Sequence, residues 1–303
     1  MKFRFEAEVS VRPPYRLDLT VDALRRLAAN VVDVVGEDGV YRRALRDELG
    51  ANLLEVRQAS ARSLNVRMTG SRARRWLPAV ERMLGTQVRL DEWYRRVRPY
   101  PWLAYLAREL RGLRPPRYPS LWEALAHSIV FQQISIHAAA SIMRRLIEAA
   151  GEPVQYGGAA YYPFVTAQQL LSCGDVTLRG AGLSANKVAH LRSAAQTVVS
   201  GAIGDGEIEA LSSAQASQRL CTIRGIGPWS AAVVLLRGFG RLDVFPMKDS
   251  GVARSLRLLS GNPLVDAHAL LEGLGPMRGM LYFHLLLGRM RNLVPSTPDS
   301  EIT

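Results

Sequence analysis

The sequence predicts an α+β protein: an N-terminal antiparallel sheet with two helices, followed by a mainly α-helical region. Two observations carry this. At the start of the chain, Phe3, Phe5, Ala7, Val9 and Val11 alternate with Lys2, Arg4, Glu6, Glu8 and Ser10, the period of a half-buried strand. From about residue 91 that alternation gives way to apolar residues three and four apart, the period of helices with a buried face. Residues 1–92 are therefore read as one α+β domain and 93–303 as an all-α region of one or two helical layers.

Taken in order, "RPPY" ends the first strand. Residues 21–30 read as a helix through Leu24, Leu27 and Ala28. Strands are expected around Val40–Leu45, Leu53–Ala59 and Ser63–Thr69, the last alternating Leu64, Val66 and Met68. Ser71–Leu84 reads as a helix. A basic, proline-bounded connector follows, with a short helix near Trp102–Leu110. Leu121–Ala150 is one long amphipathic pattern, and 151–164 reads as a glycine-rich loop. Further helices are expected at 185–200, 212–222, 229–237, 250–260 and 276–291.

Composition narrows the functional classes. A hydrophobic fraction of 48% over 303 residues favours a packed globular protein. No apolar run is long enough for a membrane-spanning helix, and "MKFRFEAEVS" lacks the apolar core of a signal peptide. The expected location is cytoplasmic and nucleoid-associated. Cys173 and Cys221 are the only cysteines and the five histidines are scattered, so neither a metal site nor a disulfide framework is expected. The net charge is +12, and Lys2, Lys187 and Lys248 are the only lysines. Arginine codons of a GC-rich genome are the bland source of such a surplus. The positive field remains, and guanidinium groups fork onto phosphate oxygens.

The most informative stretch is "LCTIRGIGPWSAAVVLLRGFGRLDVFPMKD", residues 220–249. Gly225-Ile226-Gly227 breaks a helix, and Pro228 suits the first turn of the next one. Trp229, Ala232, Val233 and Leu236 then share a face, and Gly238 is expected to stop the helix. Two glycines allow a sharp turn with positive φ. The free N–H groups at the second helix's start suit a phosphate oxygen. A simple tight turn is the structural alternative; the basic chain shifts the balance toward DNA.

On these residues the chain resembles the helix-hairpin-helix DNA glycosylase superfamily, in particular its 3-methyladenine DNA glycosylase II (AlkA-like) branch. "LCTIRGIGPWSA" and "DVFPMKD" match the family's hairpin and aspartate motifs, and "HSIVFQQISIHAAASIMRRL" matches an upstream segment. "YPFVTAQQLLSCGDVTLRGAGLSANKVAHLRSAA" matches another, and the first 90 residues resemble the branch's extra sheet domain. The resemblance implies a helix-hairpin-helix glycosylase fold with a DNA cleft between the two helical subdomains. It implies a monofunctional enzyme that flips damaged, chiefly alkylated, purines out of duplex DNA and hydrolyses the N-glycosidic bond.

The resemblance assigns Asp249 as the catalytic carboxylate, which would stabilise positive charge on the sugar; a helix N-cap is its structural alternative. The lysine of family members that also cut the backbone is replaced by Trp229, so lyase chemistry is not expected. Trp229, Val233, Met277, Tyr282 and Phe131 are the implied base pocket, with Val233 and Met277 standing where aromatic residues are common. Phe283 is a further aromatic candidate, and both it and Tyr282 read equally as core. Gly225, Ile226, Gly227, Pro228, Ser230, Lys187 and Lys248 are the implied DNA contacts; Gln133, with Ile134 its neighbour, falls at the position that fills the space the flipped base vacates, an ordinary helix-terminal glutamine being the structural alternative. No cofactor is required, although a monovalent cation at the hairpin is compatible with the motif. The expected partner is double-stranded DNA containing damaged bases, bound by a monomer. A glycosylase for oxidised or deaminated bases, and a non-catalytic DNA-binding protein, are the alternatives.

Overall fold

A computed structural model of the chain describes residues 2–70, 72–247 and 249–293, with the backbone alone at Ser250. β1 (Phe3–Ser10), α1 (Leu17–Arg25), β2 (Asp33–Val35), β3 (Tyr41–Asp47), β4 (Gly50–Ser60) and β5 (Ser63–Thr69) come first. The strands form one antiparallel sheet in the order β1-β5-β4-β3-β2. Register follows the alternation: Ala7 faces Val66 and Val9 faces Leu64, so one apolar face runs across both strands.

α1 starts earlier and ends earlier than the expected 21–30. Leu17, Leu19, Thr20, Val21, Ala23 and Leu24 are the residues it buries, and the chain turns out of it at Arg26 with φ 62°. A side chain adopts that conformation only where its surroundings hold it there. The expected helix at 71–84 is a 3-10 turn, Ala73–Trp76, running into α2 (Leu77–Leu84).

The helical region follows: α3 (Asp91–Arg96), α4 (Pro101–Glu109), α5 (Leu121–Val130) and α6 (Ile136–Ala150). The long pattern 121–150 is therefore two helices. Ser120 and Ser135 cap them, accepting from the N–H of Glu123 and Ala138, and Gln133 turns the chain between them at φ 57°. The 151–164 segment is not a plain loop. β6 (Val154–Tyr156) and β7 (Ala159–Tyr161) form a small hairpin, turned by Gly157 and Gly158 at positive φ. Then come α7 (Ala167–Ser172), α8 (Asp175–Gly180), α9 (Ala185–Val199), α10 (Asp205–Ala210), α11 (Ser213–Leu220), α12 (Pro228–Phe239), α13 (Ser250–Ser260), α14 (Ala267–Leu274) and α15 (Arg278–Met290).

α12 does not stop at Gly238. It ends at Gly240, φ 65°, while a Cβ at Gly238 would lie 2.8 Å from the Ala124 Cβ. Gly238 thus lets α12 cross α5 at close range, a packing role.

α12 is buried almost all round and joins two apolar cores. Ala231, Val234 and Leu235 enter a core with the sheet, α5, α6 and α9; Leu236 enters a second with α4, α13, α14 and α15. α1 does the same, giving Val21 and Leu24 to the first and Leu19 and Ala23 to the second. The sheet is also clamped to the helices by Arg43 of β3. Fully buried, it bonds Asp33 at 2.7 Å and Glu123 of α5 at 2.5 Å. Among the described residues no helix is long and apolar enough to cross a membrane.

Candidate functional site: a glycine hairpin facing a capping carboxylate

α11 and α12 are joined by a hairpin whose apolar side, Ile223 and Ile226, is buried. Its two glycines serve different ends. Gly225 has φ 86°, and a Cβ there would lie 2.3 Å from the His190 ring; no other residue fits. Gly227 has φ −99° and ψ −178°, extended backbone open to any residue, and a Cβ there would meet nothing within 4 Å. The expectation of positive φ at both glycines holds only for Gly225.

Among the described residues, the N–H groups of Gly227, Trp229 and Ser230 take no protein acceptor. They are the unpaired first-turn donors of α12, at the positive end of its dipole, and Pro228 has no N–H to leave unpaired. Ile226 is buried, so only its backbone is available at this surface. Ser230 is 2% exposed and its hydroxyl accepts from Gln132 Nε2 at 2.7 Å, so its expected DNA contact is limited to its backbone N–H.

Gln132 also donates to the Gly225 carbonyl at 2.9 Å, which ties the Phe131–Ser135 loop to the hairpin. Lys187 Nζ donates to the carbonyls of Val130 and Gln132 at 2.6 and 2.9 Å. It therefore secures the C-terminal end of α5, and burial lowers its pKa. Gln133 and Ile134 stand exposed at the tip of the loop these bonds secure. Lys248 lies outside the described residues.

Asp249 is the N-cap of α13. Its Oδ1 accepts from the Val252 N–H at 3.0 Å, and its Oδ2 accepts from the Trp229 indole N–H at 3.2 Å. Both readings of Asp249 therefore share one geometry: the cap fixes the carboxylate, and the hairpin helix supplies its second bond. The group is partly exposed and borders an open pocket of about 270 Å3 lined by Phe245, Pro246, Met247 and Val252 among others.

The implied base-pocket residues are not assembled around that opening. Val233, Met277 and Tyr282 are 5%, 7% and 8% exposed and belong to the interior. Phe283 is wholly buried, with its ring edge-on to Tyr282. Phe131 is half-buried and borders a separate, small cavity with Tyr118, His127 and Arg26. Sequence reading missed Arg26, one of several arginines in a basic chain, with no motif to single it out. It is 8% exposed. Its Nη2 donates to Tyr282 Oη at 2.8 Å, and its guanidinium lies 4.9 Å over the Phe131 ring. Nearby, burial holds the His127 pKa well below the usual histidine range, reinforced by Arg26, Arg237 and Arg43. His127 is thus neutral and stacked 4.2 Å from Tyr118.

A glycine-bent hairpin with free amides, feeding a helix that meets a capping carboxylate, defines a helix-hairpin-helix protein. The family model of the HhH-GPD superfamily base excision DNA repair proteins matches residues 126–270. A DNA-3-methyladenine glycosidase structure from Bacillus halodurans is 30% identical, with 65% of this chain and 88% of that chain covered and a TM-score of 0.50. The chain belongs to the HhH-GPD superfamily and is AlkA-like within it. A 3-methyladenine DNA-glycosylase from Archaeoglobus fulgidus shares the fold over 94% of this chain and 98% of that one, at TM-score 0.79 and 24% identity. The DNA-3-methyladenine glycosylase of Bacillus subtilis (strain 168) is 29% identical over 170 residues. That match spans 56% of each protein, so the chain aligns with little more than half the length of this relative.

Proposed function

We propose that this protein is a monofunctional DNA glycosylase of base excision repair that removes damaged, chiefly alkylated, purines. The observation that carries the reading is the Asp249 carboxylate, fixed by its cap and by Trp229 beside a hairpin of free amides. The relatives named above support the substrate class. The hairpin amides and the dipole of α12 bind a phosphate without reading sequence, which suits an enzyme that scans DNA. Gln133 or Ile134, exposed on the secured loop, fills the space left when the nucleotide rotates out of the stack.

At the sugar, the C1′–N bond breaks as positive charge builds on C1′. Asp249 stabilises that charge and takes a proton from the attacking water. Trp229 occupies the place of a lysine nucleophile, so the abasic product keeps its backbone intact. Lys248, one residue before the carboxylate, is assigned to lowering its pKa or to a phosphate contact. No cofactor enters these steps.

The test compares wild type with Asp249→Asn on duplexes carrying single damaged bases. Wild type is expected to release base and leave the strand uncut, and Asp249→Asn to lose release by about 100-fold or more. Full activity in Asp249→Asn would overturn the mechanism. No release by wild type from any duplex of the panel would leave a non-catalytic DNA-binding protein. Affinity for duplex should fall steeply with salt; a flat response would remove the phosphate-binding role.

A further inference from the structure

We infer that the protein holds a monatomic anion, chloride, in the small cavity between α1, α5 and α6. The inference is independent of the glycosylase reading. The cavity measures about 20 Å3 and is bordered by Arg26, Tyr118, His127, Phe131, Ile136 and Met143 among others. That room suffices for one water-sized species. Chloride is only slightly larger than water and fits; a nucleobase, a phosphate or a sulfate does not.

Charge selects the occupant. Among the described residues, the lining includes three arginines, Arg25, Arg26 and Arg144, and no carboxylate. Arg25 and Arg144 are each paired with a carboxylate that does not line the cavity, Asp22 and Glu148. Arg26 differs: it is 8% exposed, and among the described residues it makes no ion pair within 4 Å. Its Nη2 is taken up by the Tyr282 hydroxyl, while its Nε is buried with no acceptor. A buried cation without a counter-charge is costly. Arg237, also buried and without an ion pair among the described residues, adds to the positive field from 4.9 Å off the Tyr118 ring.

Hydrogen-bonding capacity selects the same occupant. The Tyr118 hydroxyl and His127 Nδ1 are buried and unpaired too. A guanidinium can only donate, whereas a hydroxyl and a neutral imidazole can each present a proton. The lining thus carries three unpaired groups able to donate. Chloride accepts from all three and supplies the missing charge; a water molecule accepts from two at most and brings none. Arg26 follows α1, His127 lies on α5 and Ile136 opens α6, so the ion ties three helices together at the base of the loop that carries Gln133 and Ile134.

Two measurements test this. Crystals soaked in bromide are expected to show an anomalous-scattering peak inside the cavity, beside Arg26 Nε. In solution, exchanging acetate for chloride at constant ionic strength should raise the wild-type Tm by about 2 °C, with saturation; acetate is too large for the cavity and serves as the reference. Tyr118→Phe, which removes one donor, should raise the chloride concentration at half-effect by about 10-fold, and Arg26→Gln should abolish the rise. Absence of bromide from the cavity would mean an ordered water there and would overturn the inference. A Tm indifferent to chloride, or a chloride response undiminished in both variants, would overturn it equally. If Arg26→Gln does not fold, Tyr118→Phe and the bromide map decide. None of these outcomes bears on base release, so the glycosylase reading stands or falls separately.

Discussion

The two oxygens of Asp249 have separate duties, and that separation makes the residue testable. Oδ1 caps α13 through Val252 and Oδ2 holds the Trp229 indole. Asparagine retains a carbonyl oxygen for the cap but has no negative charge. Asp249→Asn should therefore melt within about 1 °C of wild type while losing base release, whereas Asp249→Ala should also lose about 1 kcal/mol of stability with the cap. Thermal melting of both variants, read beside activity, checks this; an Asn variant as unstable as the Ala variant would assign the activity loss to folding. Asp249, Trp229 and the hairpin were legible in the sequence because they sit in one continuous motif. Arg26 was not, because it meets Tyr282 across 256 residues of chain, and no local pattern records such a contact. The same limit explains Val233, Met277 and Tyr282: their positions matched a pocket, and only packing shows that they are interior.

At the scale of elements, the hairpin joins two kinds of glycine, and substitutions should separate them. Gly225→Ala places a methyl against His190 at a φ of 86°. It should destabilise the fold by more than about 1 kcal/mol and weaken DNA binding only as a consequence. Gly227→Ala meets open space in extended backbone, so its stability should change by less than about 0.5 kcal/mol. Its methyl would stand beside the free amides, where a phosphate must approach, so duplex affinity should fall nonetheless. Melting curves and fluorescence-anisotropy titrations of the two variants check this; unaltered affinity for folded Gly227→Ala would remove the amides from the binding surface. The helices whose caps and periodicity agree, such as α9 behind Ser184, were readable in sequence. The 121–150 pattern was read as continuous because apolar spacing carries across a one-turn break. The break itself rests on Ser135 and on Gln133 in a conformation its residue type does not announce. Short elements such as β2, α8 and α10 offer too few residues for a period to show.

At the scale of the whole molecule, the sheet and the helices share cores, and acid should expose how that sharing is held. His284 of α15 is buried and neutral, its Nε2 accepting from Trp93 of α3 at 3.3 Å and its Nδ1 bonding the Met280 carbonyl at 2.9 Å. Burial lowers its pKa from 6.5 to about 4, against the opposing Met280 bond. His127 of α5, stacked against Tyr118 and Phe164, is lowered in the same direction by burial and three arginines. A histidine with a depressed folded pKa binds its proton more readily once unfolded, so stability is complete above pH 6.5. It declines as pH falls toward 4, where folded His284 must also charge. The span corresponds to about 3 kcal/mol for His284, a large part of an ordinary domain's stability. Denaturant midpoints measured from pH 7 to 4 should fall through that window, and His284→Gln should flatten the slope because an amide does not titrate. Because the core around His284 and the core around His127 are joined through α1 and α12, both should unfold in one transition. A flat profile in wild type would show that neither buried imidazole governs the acid limit of this fold, and an undiminished slope in His284→Gln would remove His284 from it.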